Sequence, residues 1–185
     1  MLINHNREKL INSIVYFLRN TKYCGKIKLF KLLYFLDFIH FRETGKSVTG
    51  LHYFAWDKGP VPKDLFYELR CPKKDLCQYV FVPKDKESDD FFEMKPKGKF
   101  DNRYFSASEL KLLEKIAYIF RDARAPEIVE TTHLPNMPWD KTIKKKGKDE
   151  EIDYFLALDD SEQSLSLDEV KERIHDSEEI KNLFR

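Results

Sequence analysis

The segment that most constrains this fold is the run from Lys26 to Arg42, which is apolar at almost every position. Its apolar residues are Ile27, Leu29, Phe30, Leu32, Leu33, Tyr34, Phe35, Leu36, Phe38, Ile39 and Phe41. A helix that is apolar on every side is buried on every side, because none of its faces suits water. We therefore predict the central helix of a bundle here. It should end at Gly45, since glycine tolerates the left-handed backbone that helix termini use.

Weaker patterns on both sides of this segment predict further helices and one hairpin. Apolar residues recur at helical spacing over residues 7–19, and capping boxes at Ser106–Glu109 and Ser166–Glu169 begin two later helices. Short β-rich runs at 78–82 and 91–95 favour a small antiparallel hairpin with a charged loop. The expected class is α+β but predominantly α-helical, a compact helical domain around a buried central helix with one small antiparallel β-hairpin.

Charge divides the chain into two parts. The net charge of the 185 residues is +1, but residues 149–185 carry 13 acidic and 4 basic side chains, a net of −9, so residues 1–148 carry +10. We predict a main domain over 1–148 and an acidic helical C-terminal extension over 149–185 that packs on or extends the same domain. Such a split accompanies nucleic-acid contact or an interaction tail, and solvated faces produce it too.

The chemistry-bearing residues do not form a recognisable active site. Three cysteines and five histidines lack the close ligand pairs of a zinc site, and no nucleophile elbow or phosphate-binding loop is present. We therefore expect no catalytic, cofactor or metal site and no enzyme, with an unassigned Cys–His hydrolase as the remaining enzymatic alternative. The N-terminal residues do not resemble a signal peptide, so a cytoplasmic protein is expected.

Two basic clusters raise the alternative of a nucleic-acid-binding transcriptional regulator. The clusters are Arg19, Lys22, Lys26, Lys28, Lys31, Arg42 and Lys46, then Lys141, Lys144, Lys145, Lys146 and Lys148 in a predicted basic loop. Phosphates attract such patches. A recognition helix needs a polar face for base edges, however, and the segment Lys26 to Arg42 offers none. Nucleic acid is therefore not the expected partner.

Two segments combine rigid turn residues with a large aromatic residue. They are 49–62, in which Gly59–Pro62 predicts a rigid turn, and 131–139. Trp56 and Trp139 either pack these loops onto the central helix or act as anchors for a protein partner. The candidate residues for partner binding or loop clamping are Tyr53, Trp56, Lys58, Gly59, Pro60, Thr132, His133, Pro138 and Trp139.

Three motifs in order, Lys28–Phe38, Ala55–Pro62 and Thr132-His133 leading to Pro138-Trp139, resemble the Panacea domain of SocA-like antitoxins. The similarity extends from about residue 10 to residue 143. It implies a largely helical bacterial or phage protein of a type II toxin–antitoxin system, encoded beside its toxin. Its implied partner is the cognate protein toxin, which it neutralises by direct binding or delivers, as a proteolytic adaptor, to a ClpXP-type protease. No membrane partner is implied. We also expect the acidic C-terminal segment to form part of the partner surface.

Overall fold

The structure of the chain, a computed structural model, describes residues 5–83 and 94–183. Within them the chain forms eight α-helices and four short strands. The helices are α1 (Asn6–Asn20), α2 (Lys26–Thr44), α3 (Lys63–Glu68), α4 (Lys74–Tyr79), α5 (Ala107–Ile119), α6 (Ala125–Thr132), α7 (Pro138–Lys145) and α8 (Leu167–Leu183). The strands are β1 (Tyr53–Trp56), β2 (Gly59–Pro62), β3 (Val80–Phe81) and β4 (Lys95–Pro96). The predicted helix-dominated α+β class is confirmed.

Helix α2 is the central element, as its composition predicts. Helices α1, α5 and α6 and strand β2 pack against it, and between Lys26 and Phe41 only Ile27 and Ile39 are half-buried rather than buried. Gly45 ends the helix with φ 76°, and its N–H donates to the Phe41 carbonyl at 2.7 Å. Since a fully buried leucine or phenylalanine contributes about 1.5–3 kcal/mol, α2 supplies a large part of the stabilising burial.

Strands β1 and β2 form an antiparallel hairpin, so the prediction that Gly59–Pro62 is a turn was wrong. Trp56 pairs with Gly59, which leaves Asp57 and Lys58 as the connecting turn. Prolines are tolerated in β2 because a two-stranded sheet consists of edge strands. The backbone of residues 149–152 bonds to β1 on its other side, at Ala55 and Tyr53. The acidic segment therefore begins in contact with the hairpin.

Strands β3 and β4 form the hairpin predicted near residues 78–95, with different bounds. Val80 pairs with Pro96 and Phe81 with Lys95. Gln78 and Tyr79, expected in the first strand, end helix α4 instead. Most of the predicted charged loop and of the second predicted strand lies outside the described residues.

Both capping boxes predicted after residue 100 are present at the starts of helices. The Ser106 hydroxyl accepts from the Glu109 N–H at 3.2 Å, while the Glu109 carboxylate accepts from the Ser106 N–H at 2.7 Å, which confirms the first capping box. The second box forms in the same way at Ser166. The predicted basic loop from Lys141 is wrong in its first half, because α7 continues to Lys145.

The C-terminal residues include a 3₁₀ turn that contacts α2 and a helix, α8, that is mostly exposed. The 3₁₀ turn, at Tyr154–Ala157, packs on α2 with the Tyr154 ring stacked on Phe38 at 4.4 Å between centroids. Helix α8 buries only Val170. Among the helices described, none is long and apolar enough to span a membrane.

Candidate functional site

The two segments singled out in the sequence meet beside helix α2. The Trp139 indole N–H, at the start of α7, donates to the carbonyl of Trp56, at the end of β1, at 3.0 Å. Both tryptophans are half-buried and pack against the hydrophobic core. Each indole therefore holds a loop against the body of the protein while part of its surface faces solvent.

Gly59 allows the two segments to approach closely. Its φ is +90°, and a β-carbon there would lie 2.8 Å from the Thr132 hydroxyl oxygen and 2.9 Å from both His133 Nε2 and Lys31 Nζ. Side-chain and backbone atoms of three elements thus converge on one point. A residue with a side chain at position 59 would be strained in its backbone and would displace these groups.

His133 stacks on Trp139, with ring centroids 3.9 Å apart and an interplanar angle of 13°. Its Nε2 atom is buried and has no hydrogen-bond partner among the residues described. Burial lowers the pKa of His133, and the nearby Lys31 charge lowers it further. The imidazole is therefore held in its neutral form at physiological pH, beside a buried amine.

Lys31 lies at the centre of this arrangement and was not among the predicted site residues. Its exposure is 1%, and its ammonium donates to the Pro60 carbonyl at 2.7 Å. Burial lowers the pKa of Lys31 well below its ordinary value. Within 5–83 and 94–183, no carboxylate forms an ion pair with it. A buried lysine without a counter-charge is uncommon, because the charged form pays a large desolvation cost.

A cavity of about 380 Å³ opens next to Lys31. Its apolar lining comes from Ile27, Phe30, Trp56, Val61 and Phe66. Its charged lining comes from Lys26, Lys31, Asp57, Lys58, Lys148 and Asp149, of which Lys26 and Lys31 are buried and the others exposed. The exposed charges therefore surround the mouth, whereas Lys26 and Lys31 belong to the buried part of the lining. Four lysines against two aspartates give the cavity a net positive lining.

The remaining predicted residues occupy different places. Lys58 is at the cavity mouth, and Thr132 is buried with its hydroxyl donating to the Val129 carbonyl at 2.7 Å. Pro138 is buried at the first position of α7, where its missing N–H costs nothing. Tyr53 lies in the core, away from the cavity, and donates from its hydroxyl to the Asp37 carboxylate at 2.8 Å.

Asp37 is another buried charge on α2, and hydrogen bonds occupy both oxygens of its carboxylate. Besides Tyr53, its carboxylate accepts from the Val48 N–H at 2.9 Å, the Thr49 N–H at 2.7 Å and the Thr49 hydroxyl at 2.5 Å. Burial raises the pKa of Asp37, and these hydrogen bonds oppose the shift. The loop that leads from α2 to the hairpin is anchored here.

Three of the four lysine and arginine residues of α2 are buried and are not available at its surface. Lys28 is buried, and its ammonium donates to the carbonyls of Lys22 at 2.7 Å, Ala123 at 2.6 Å and Arg121 at 3.4 Å. Lys26 and Lys31 are buried as well. Three of the seven residues in the first basic cluster are therefore buried.

Neither cysteine nor metal chemistry emerges from the described part of the chain. Cys24 is buried, and burial raises the pKa of its thiol to about 11, which keeps it protonated. Cys71 and Cys77 are exposed and unpaired with each other. No group of three or more histidine, cysteine or acidic residues in these ranges is placed to hold a metal ion.

Comparison with known proteins gives one family. The model described as "Antitoxin SocA-like, Panacea domain" matches residues 29–140, from the first turn of α2 into α7. The matched range contains Lys31, the β1–β2 hairpin and the Thr132-His133 and Pro138-Trp139 pairs. No curated protein and no solved structure matches significantly.

Proposed function

The chain belongs to the SocA-like Panacea domain family of antitoxins, and from that premise we propose that it neutralises a cognate protein toxin by binding it directly. The observation that carries this proposal is the extent of the family match. It covers the central helix and both segments that meet at Lys31, so the shared part of the family is the part that builds the candidate site.

The geometry around Lys31 favours binding over catalysis. The Thr132 hydroxyl donates to a backbone carbonyl of its own helix, and His133 is held neutral against Trp139. No nucleophile stands in hydrogen-bond contact with His133 Nε2 in the described ranges. We therefore assign the site to recognition, without a catalytic step by this chain.

Tight inhibition needs an interface larger than the cavity. A stable complex commonly buries about 1,600 Å² in total, and nanomolar affinity corresponds to about −12 kcal/mol. Partly exposed tryptophans with a charged surround match the usual anatomy of binding hot spots. Trp56 and the mouth of the cavity therefore supply the centre of the proposed interface, and the acidic α8 is placed in its periphery.

Direct binding and protease delivery make different predictions about the host. An inhibitor that occludes its toxin still neutralises it in cytoplasm that lacks ClpXP, whereas an adaptor does not. We propose the first, because the close contacts among Trp56, Gly59, His133 and Trp139 form the site before a partner binds, and a preorganised site suits a stable complex.

The experiment is co-expression with the protein encoded by the neighbouring reading frame, in cells with and without ClpXP. We expect growth to be restored in both hosts and a stable complex to be purified from the second. Rescue confined to the host with ClpXP would replace direct inhibition with adaptor action. A neighbouring product that is toxic and is not neutralised in either host would overturn the antitoxin function.

A further inference from the structure

We propose that the cavity beside Lys31 is the docking site for a carboxylate-bearing segment of the toxin, whose carboxylate binds the Lys31 ammonium while apolar groups next to it contact the cavity walls. This proposal rests on the antitoxin function and names what the site recognises.

The Lys31 ammonium has more hydrogen-bond donors than the described part of the protein provides acceptors for. A lysine ammonium has three donors, and the Pro60 carbonyl is the acceptor that the described residues provide. Lys28, three positions earlier on α2, shows how this protein satisfies a buried lysine that has a structural role, because three carbonyls surround it. Within the described ranges, Lys31 has a single such carbonyl and also lines a cavity, so a carboxylate that enters the cavity could accept the remaining donors.

The cavity combines aromatic walls with a buried lysine. Phe30, Trp56 and Phe66 line it with aromatic surface, and the Trp56 and Phe66 rings contact edge to face at 4.9 Å. Lys31 lines the same cavity and is 1% exposed. An occupant must therefore present an anionic group to Lys31 and apolar surface to the aromatic walls. Inorganic anions supply only the first of these.

The volume of the cavity and the charge of its lining also favour an acidic segment as the occupant. A volume of about 380 Å³ is near the lower end of small-ligand pockets, which suits one or two side chains. Lys148 forms an ion pair with Asp57 at the mouth, and the lining as a whole stays positive. This charge complements an acidic segment and disfavours a basic one.

The first experiment uses a matched pair of small probes with the full-length protein. N-acetylphenylalanine and N-acetylphenylalaninamide have the same shape and differ by one negative charge. In an NMR titration followed at the Trp56 indole, we expect the acid to bind at least about tenfold more tightly than the amide, the advantage of a hydrogen-bonded charge. Equal affinities, or no response of Trp56 to either probe, would overturn the proposal without any variant being made.

The second experiment uses Lys31→Met, which removes the charge and keeps most of the volume, with the exposed Lys144→Met as the control. Titration calorimetry with the neighbouring gene's product should show a loss of about tenfold or more in affinity for Lys31→Met and no change for Lys144→Met. The variant should also lose its preference for the acidic probe, and its circular dichroism melting curve shows whether it is folded.

The possible outcomes distinguish failure of the docking proposal from failure of the antitoxin function. If wild type prefers the acidic probe but folded Lys31→Met binds the toxin as tightly as wild type does, the cavity serves a free small anion and the docking proposal is wrong, while the antitoxin function stands. If wild type does not bind the toxin at all, the antitoxin function itself is contradicted, and the docking proposal with it.

Discussion

Helix α2 buries several charged side chains, and the surroundings of two of them, Asp37 and Lys31, differ sharply. Four donors surround the Asp37 carboxylate, from Val48, Thr49 and Tyr53. The Lys31 ammonium donates to a single carbonyl and faces a cavity. A buried charge that the protein itself satisfies holds the fold together. One that the protein satisfies only in part is available to a ligand, and this difference separates structure from recognition on one helix.

The strongest test of this difference between Asp37 and Lys31 is whether the stability of the fold depends on Asp37. Replacing Asp37 with alanine leaves buried N–H and O–H donors of the 48–53 segment without an acceptor, each at a cost of about 1–3 kcal/mol. We expect Asp37→Ala to lower the free energy of unfolding by about 3–5 kcal/mol in urea denaturation. Asp160→Ala, at an exposed site, is the control, with a change within about 0.5 kcal/mol. A similar small effect at Asp37 would show that this carboxylate does not anchor the loop.

Lys28 sharpens the comparison, because it is a lysine with a structural environment. Lys28→Met deprives the carbonyls of Lys22 and Ala123 of their buried donor, so we expect a loss of about 2–3 kcal/mol. Lys31→Met loses one hydrogen bond but also removes an uncompensated buried charge, so its net change should be below about 1 kcal/mol. Denaturation of the two variants side by side measures this contrast. Equal losses would mean that Lys31 is as structural as Lys28.

The C-terminal helix tests whether recognition resides in the cavity or in the acidic extension. Deleting residues 160–185 removes α8, whose one buried residue in the described range, Val170, lies over Gly45. We expect the free energy of unfolding to fall by about 1.5–3 kcal/mol, the value of burying one valine, and toxin affinity to fall because the periphery of the interface is lost. Unchanged toxin neutralisation by the folded, shortened protein would remove α8 from the proposed interface.

Over a single pH unit, the titration of Lys31 gives the smallest expected effect. Burial lowers the folded-state pKa of Lys31 well below 10.5, so the folded state binds this proton less tightly than the unfolded state does. This contribution to stability is fully present above about 10.5, the unfolded-state pKa, and is lost as pH falls towards the folded-state pKa. The difference in unfolding free energy between wild type and Lys31→Met should therefore decrease on lowering the pH through this window, by at most about 1.4 kcal/mol per pH unit. Parallel pH profiles of the two proteins would show that Lys31 is not desolvated.

The central part of the fold was predictable because its signals are local. The uninterrupted apolar run of α2, Gly45 at its end and the capping boxes at Ser106 and Ser166 all appear where the sequence places them. Strand β2 was not predictable in the same way. Its two prolines favour a turn, and only pairing with β1 makes the segment a strand.

Part of the site was predicted from the sequence, but Lys31 was missed. The Gly59-Pro60 and Thr132-His133 pairs were found from turn chemistry, but Lys31 was counted among surface charges. The available signal was its position: Lys31 lies inside a run predicted to be buried on every face, so its side chain had to be buried too. Charge composition by itself does not show this, because it counts a lysine equally in water and in the core.

A structure of the complex with the toxin tests the central claim most directly. The account predicts a toxin carboxylate oxygen about 2.7–2.9 Å from Lys31 Nζ, with apolar toxin atoms against Phe30, Trp56 and Phe66. A complex in which the toxin binds elsewhere and no toxin atom enters this cavity would contradict it.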